Sequence, residues 1–138
     1  MTSTKITMMK RLTLFGFLFA VGLSSAGVSA DTEPSCVKAD AELNRVYKKI
    51  LKTYKDDPLF LKKLKVAQRA WIKFRDGHMD SVYPADDKRE YGSIYGECSC
   101  NDEAQVTQAR VKQLKVWLKG IPEGDGCSGS VKMTHQLQ

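Results

Sequence analysis

Three side chains with unusual chemistry share one face of a predicted helix. Gln68, Trp71 and Arg75 lie three and four residues apart, so an amide, an indole and a guanidinium point to the same side. Such a set could line a ligand pocket. A buried guanidinium, however, needs a carboxylate partner, and Asp40 and Glu42 lie within reach on a neighbouring antiparallel helix. We therefore interpret Trp71 as filling the junction between helices. Arg75 would either pair with a carboxylate, for which these two residues are candidates, or cap helix carbonyls.

Catalytic chemistry has little support in the sequence. The two histidines, His78 and His135, have no neighbouring nucleophile or metal ligand, which a catalytic base would need. The acidic pairs at 56–57 and 86–87 consist of adjacent residues, which do not face one another as catalytic carboxylates do. No glycine-rich phosphate loop is present. We predict that the protein is not an enzyme and has no cofactor and no metal.

The segment between Gly77 and Cys98 loses helical periodicity and is rich in tyrosine. A loop this long in a small domain is usually functional or disordered, and its aromatic residues argue for order. Rigid aromatic side chains beside small hydrogen-bonding residues are typical of protein-binding loops. We predict the partner-binding residues to be Tyr83, Lys88, Arg89, Tyr91, Ser93 and Tyr95. The alternative is a loop that only packs over the helix ends.

Four cysteines, Cys36, Cys98, Cys100 and Cys127, predict two disulfides in a small exported chain. A bond between Cys98 and Cys100 is sterically awkward because one residue separates them. Cys36 would then pair with one of these two and Cys127 with the other. A zinc site is disfavoured, since the two outer cysteines are isolated in the sequence.

Three helices must position these groups. Apolar periodicity predicts helices over residues 37–54, 58–76 and 101–119. Asp57 can cap the second helix and Pro58 suits its first position, while Gly77 is a ready C-terminal stop. The inner stripe of the second helix includes Trp71, Phe74 and Arg75, and the short connector predicts an αα-hairpin.

The predicted fold is therefore all-α: a small, disulfide-stapled domain of three helices, an αα-hairpin plus a third helix, with one long ordered loop. The predicted divisions are a signal peptide over 1–30, a helical domain over 31–122 and a polar tail over 123–138. In the tail, only Cys127 is expected to attach the chain to the helical domain.

The first 30 residues have the pattern of an export signal. Lys5, Lys10 and Arg11 precede an apolar run, and residues 28–30 are small, as at a cleavage site. The alternative is an uncleaved anchor helix, but the run is short for a bilayer. Cleavage after Ala30 would remove three of the 22 basic residues and none of the 16 acidic ones, leaving a net charge of +3 in place of +6. We predict a periplasmic or secreted bacterial protein that neither binds nucleic acid nor stays inserted in a membrane.

The combined motifs resemble those of the LprI-type lysozyme-inhibitor family, a group of small exported bacterial domains. The resemblance covers nearly all of residues 36–118, and its most specific stretch is residues 67–76. It also includes Leu43-Asn44-x-x-Tyr47, Tyr91-Gly92-Ser93 and Thr107-x-x-Arg110-x-x-x-Leu114. The motif residues that we expect to be structural are Leu43, Asn44, Tyr47, Gln68, Trp71, Arg75, Asp76 and Arg110.

The sequence also departs from the family. Many members have a cysteine three residues after the Arg-Asp pair, where this chain has Met79, and many have Gly-Gly-Ser where this chain has Tyr91-Gly92-Ser93. Cys127 is a candidate to replace the missing bridge partner, so the family's disulfide pairing is not carried over.

The resemblance implies a protein partner, with lysozyme as the proposed target of some members. The cleft of a lysozyme carries two catalytic carboxylates, which a cationic or hydroxyl side chain of an inserted loop could approach. Lysozymes are commonly basic, so a +3 chain would gain no long-range attraction and would depend on local contacts. The alternative function is that of an envelope-accessory or toxin-neutralising binding protein that does not inhibit lysozyme.

Overall fold

The computed structural model describes residues 33–138, which form three long helices and one short one. These are α1 (Ser35–Thr53), α2 (Pro58–Val82), α3 (Tyr95–Leu114) and α4 (Val116–Lys119), with 3₁₀ turns at Lys88–Tyr91 and Thr134–Leu137. No β-strand occurs in this part of the chain, so the all-α prediction is confirmed. The predicted signal peptide and its cleavage site lie outside the described residues.

The core forms where α1 packs along α3, and α2 covers part of this pair. Apolar side chains at helical spacing on α1 meet residues of the other helices. The buried cluster is Leu43, Val46, Ile50, Tyr54, Phe60, Leu64, Val111 and Leu114. Burial of such side chains stabilises each by about 1.5–3 kcal/mol relative to exposure. Within residues 33–138, no helix combines the length and apolarity needed to cross a membrane.

The start of α2 follows the sequence prediction, but its end does not. The Asp57 carboxylate accepts a hydrogen bond from the Phe60 amide at 2.9 Å, and Pro58 occupies the first turn. The predicted stop at Gly77 is wrong, because α2 continues to Val82. The helix ends instead before Tyr83, whose helical conformation is disfavoured by the following Pro84.

The third helix also begins earlier than predicted, at Tyr95 rather than Asn101. The segment from 95 to 100 lacks apolar periodicity, but tertiary contacts hold it in the helix. The Tyr95 ring packs on Tyr83 and Tyr91 with ring centroids 5.2 and 5.5 Å apart, and Cys100 bonds to α1. Both cysteines of the Cys-x-Cys pair are therefore helical.

One disulfide is present where two were predicted. Cys36 bonds to Cys100, while Cys98 and Cys127 are free. Residues two apart on a helix point about 200° apart, so Cys98 cannot face α1 together with Cys100. Cys98 lies in the first turn of α3, whereas Cys127 follows the far end of that helix and of α4. The predicted bond between Cys127 and the Cys98/Cys100 pair is wrong because a helix length separates them.

The tail is held by hydrogen bonds and not by Cys127. The Tyr54 hydroxyl donates to the Trp117 carbonyl at 3.1 Å and accepts from the Lys132 amide at 3.0 Å. Ile121 and Met133 form an isolated bridge, and Gly120 has a φ of 73°. A Cβ at Gly120 would lie 2.9 Å from the Lys132 carbonyl oxygen, so glycine is required for this close approach.

Candidate partner-binding loop

The connection between α2 and α3, residues 83–94, is an ordered loop built around three tyrosines whose rings contact one another. Tyr83 makes edge-to-face contacts with Tyr91 and Tyr95 at centroid distances of 5.3 and 5.2 Å. Tyr91 and Tyr95 stack at 5.5 Å. Since each such aromatic pair adds about 0.5–1.5 kcal/mol to simple burial, the three rings fix the two ends of the loop to each other.

Hydrogen bonds from two of the tyrosine hydroxyls complete this internal framework. The Tyr83 hydroxyl donates to Asp102 on α3 at 2.6 Å, and the Tyr91 hydroxyl accepts from the Ala85 amide at 2.7 Å. The hydrogen bond to the Asp102 carboxylate raises the pKa of Tyr83 to about 12, because ionisation would place a phenolate beside a carboxylate. These two rings therefore serve first to shape the loop.

The two cationic residues of the loop have different roles. The Lys88 ammonium donates to the Tyr83 carbonyl and is half-buried. The Arg89 side chain is 91% exposed, and its guanidinium forms a two-pronged pair with Asp87 at 2.7–3.0 Å. This pair lowers the pKa of Asp87. Arg89 is thus oriented by its neighbour and still presented to solvent.

A sharp turn at Gly92 places two further residues at the outer edge of the loop. Gly92 has a φ of 75°, a conformation that side chains with a Cβ rarely adopt. Ser93 and Ile94 follow it, and both are exposed, with Ile94 61% accessible. Ile94 is not among the residues predicted from the sequence to bind a partner. The signal available was an isolated apolar residue next to a Gly-Ser turn.

Of the six residues predicted to bind a partner, the structure therefore places four in the framework of the loop and two on its surface. Tyr83, Lys88, Tyr91 and Tyr95 are half-buried and contact one another. Arg89 and Ser93 are exposed, as is Ile94. The outer surface of the loop, here called the loop tip, is defined as Arg89, Ser93 and Ile94.

Replacing Asp102 should change the alkaline titration of Tyr83. The pKa of Tyr83 is about 12 in the folded chain, above the ordinary value of about 10 in the unfolded chain. Its stabilising effect is therefore complete below about pH 10 and is lost as the pH rises toward 12. In Asp102→Asn, the phenol should ionise closer to pH 10, measured by phenolate absorbance with Tyr83→Phe as the assignment control. An unchanged titration curve in Asp102→Asn would contradict this account.

Residues 67–76 of α2, the most specific stretch of the motif, contribute to a second polar centre around Trp71. The guanidinium carbons of Arg75 and Arg110 lie 5.5 and 6.0 Å from the centroid of the Trp71 ring. Arg75 pairs with Asp40 at 2.9 Å, which confirms the first of its two predicted partners, and with Glu103 at 3.3 Å. Trp71 packs against the buried core, as expected of a residue at a helix junction.

Two expectations for this region need correction. Glu42 does not contact Arg75 but pairs with Lys115 at 2.8 Å and with Arg45, and these bonds lower its pKa. Phe74, placed on the inner stripe by its spacing, is 60% exposed. Phe74 lies beside the buried face of α2 and not on it. Its ring stacks on the His78 ring, with the ring centroids 5.9 Å apart.

Arg110 and Thr107 extend this centre onto α3. Arg110 donates from Nε to the Gln68 side-chain oxygen at 3.1 Å, and partial burial lowers its pKa. Thr107 is buried, and its hydroxyl has no hydrogen-bond partner among the described residues. Thr107 belongs to the motif, but its burial was not predictable from the sequence, because a single threonine gives no periodic signal.

One comparison with known proteins gave a match. The model of a protein family described as "Lysozyme inhibitor LprI" matches residues 24–114. The matched region contains α1, α2, the loop and α3, and stops before α4 and the tail. No curated protein and no solved structure matches the chain.

Proposed function

Because the chain belongs to the LprI lysozyme-inhibitor family, we propose that it is an exported inhibitor whose loop tip enters the cleft of a lysozyme. The observation that carries this proposal is the rigid presentation of the tip. The contacts among the three tyrosine rings and the Tyr83–Asp102 bond order the loop in the free protein. A loop that is already ordered loses little conformational entropy on binding, which increases affinity.

The chemistry of the tip suits a cleft that contains carboxylates. Arg89 can approach an acidic side chain with its remaining guanidinium donors, Ser93 offers a hydroxyl, and Ile94 offers apolar surface. The Asp87–Arg89 pair is neutral as seen from a distance. Attraction to a basic lysozyme therefore depends on short-range contacts, and the inhibition should depend only weakly on salt.

Substitutions in the tip should weaken inhibition without unfolding the protein. We expect the double variant Arg89→Ala/Ile94→Asp to raise the inhibitory concentration at least about tenfold, since loss of interface anchors commonly costs 1–2 kcal/mol each. The matched control is Arg69→Ala, an exposed arginine on α2 outside the loop. The assay is lysis of bacterial cell walls by lysozyme in the presence of each purified variant. Equal inhibition by the two variants would exclude the loop tip as the contact surface.

A further inference from the structure

A groove between α1 and α2 brings together residues of the family motif and shares none with the loop. Its volume is about 260 Å³, and Leu43 and Ile72 provide its apolar surface. The polar lining residues are Asp40, Asn44, Tyr47, Gln68 and Arg75. Five of the motif residues that were expected to be structural thus surround an accessible space: Leu43, Asn44, Tyr47, Gln68 and Arg75.

Gln68 lines this groove and has an unused hydrogen-bond donor. The residue is only 8% exposed, and its side-chain oxygen accepts from Arg110 Nε at 3.1 Å. Because arginine can only donate, the oxygen of the amide must face Arg110, which fixes the amide nitrogen on the other side. That nitrogen has no hydrogen-bond partner among residues 33–138, and it is not sealed from solvent.

Arg75 and Asp40 add a donor and an acceptor beside it. Arg75 Nη1 bonds to Asp40 Oδ1, and its Nε bonds to Asp76, while Nη2 has no partner in the described part of the chain. Asp40 Oδ2 likewise accepts no bond there. Asn44 is exposed at the rim and has no side-chain hydrogen bond within residues 33–138, so it offers both an acceptor and a donor.

The charges around the groove restrict the ligand. Three carboxylates, of Asp40, Asp76 and Glu103, surround the Arg75 guanidinium, so an anionic ligand would be repelled. An ammonium group could pair with these carboxylates, but it has no acceptor for the free donors of Gln68 and Arg75. A neutral ligand that carries both a carbonyl and an N–H satisfies both conditions.

We propose that this groove binds a neutral secondary amide. The amide carbonyl accepts from Gln68 and Arg75, its N–H donates to Asp40, and its methyl or methylene group contacts Leu43 and Ile72. The Asn44 side chain bonds to a further polar group of the ligand at the rim of the groove. A space of about 260 Å³ lies below the usual range of 300–1,000 Å³ for ligand pockets, so it holds one sugar ring or one amino-acid residue. The acetamido group of an amino sugar and the amide of a peptide share this chemistry. The inference does not depend on inhibition of lysozyme.

Titration with small probes, followed by NMR amide shifts of the full chain, tests this proposal. N-acetylglucosamine and N-acetylalanine methylamide should each shift groove residues, while glucosamine and acetate at the same concentrations should not. Tighter binding of the sugar probe would indicate an amino-sugar ligand, and tighter binding of the blocked amino acid would indicate a peptide. Shifts with neither amide, or equal shifts with glucosamine or acetate, would overturn the proposal.

Two variants connect the binding to the groove. Gln68→Glu keeps the oxygen that faces Arg110 but replaces the unused donor by an acceptor, and should weaken amide binding at least about tenfold. Asn44→Ala removes an exposed rim amide and should weaken it about three- to tenfold. The control is Gln105→Ala, an exposed amide on α3, and a thermal melt confirms that each variant is folded. Unchanged affinity in Asn44→Ala would reject this site, even if Gln68→Glu failed to fold.

Discussion

Loss of the Cys36–Cys100 disulfide should lower the free energy of unfolding by about 2–4 kcal/mol. The bond joins the first turn of α1 to α3 across 64 residues of sequence. A cross-link over so long a segment restricts the unfolded chain strongly, and in the folded chain it closes the end of the α1–α3 core. Since small domains are stable by about 5–15 kcal/mol in all, this one bond is a large share of the total.

Denaturant unfolding of Cys36→Ser/Cys100→Ser measures this effect. The matched control is Cys98→Ser/Cys127→Ser, which removes the two cysteines that form no bond and should unfold close to the unsubstituted chain. Thiol titration of the unfolded, non-reduced protein should give two thiols per chain. The absence of free thiols, or an equal loss of stability in both double variants, would contradict a single structural disulfide.

Truncation of Trp71 should have the next largest effect, lowering the free energy of unfolding by about 3 kcal/mol. The ring packs on the buried core and lies beside two guanidinium groups, those of Arg75 and Arg110. Trp71→Ala would open a cavity and remove both cation–π contacts. We expect the lower end of the range for aromatic truncations because the indole is only half-buried.

Phe74→Ala provides the control for this experiment. Phe74 is on the same helix, three residues away, and 60% exposed. Its truncation should change the free energy of unfolding by no more than about 0.5 kcal/mol, as is usual at the surface. Thermal and denaturant melts of both variants test the assignment. Equal losses, or a melt of Trp71→Ala that matches the unsubstituted protein, would show that Trp71 does not link the helices.

Local signals in the sequence were sufficient to predict the helices and several of their contacts. Asp57 and Pro58 form the expected start of α2, because capping depends on residues within one turn. Arg75 meets Asp40 because helical spacing restricts which side chains can face each other. The segment after α2 is ordered, as its tyrosines indicated.

Features that depend on distant contacts were not predictable in this way. Gly77 resembles a helix stop, but α2 continues past it to Val82, two residues before Pro84. The beginning of α3 is held by the disulfide from Cys36 to Cys100 and by the contact of Tyr95 with the other tyrosine rings. The sequence of this segment alone does not reveal these contacts. Pairing of Cys127 was expected because the count of cysteines is even, and a count contains no information about distance.

The tail shows the same limitation. Its backbone bonds to Tyr54, 78 residues earlier in the chain, and its Ser130 hydroxyl accepts from the Trp117 indole at 3.0 Å. A polar, glycine-rich composition does not encode such contacts. Several motif residues of α1 and α2 also line a groove, although they were expected only to connect the helices.

The most direct test of the proposed function is titration of lysozyme with the unsubstituted protein lacking residues 1–30. If the chain inhibits through its ordered loop, cell-wall lysis should fall to a plateau as the protein is added, and the Arg89→Ala/Ile94→Asp curve should lie at least about tenfold to the right. Full lysozyme activity at a large molar excess of folded protein would contradict the account. It would favour a binding function without lysozyme inhibition, such as toxin neutralisation in the envelope.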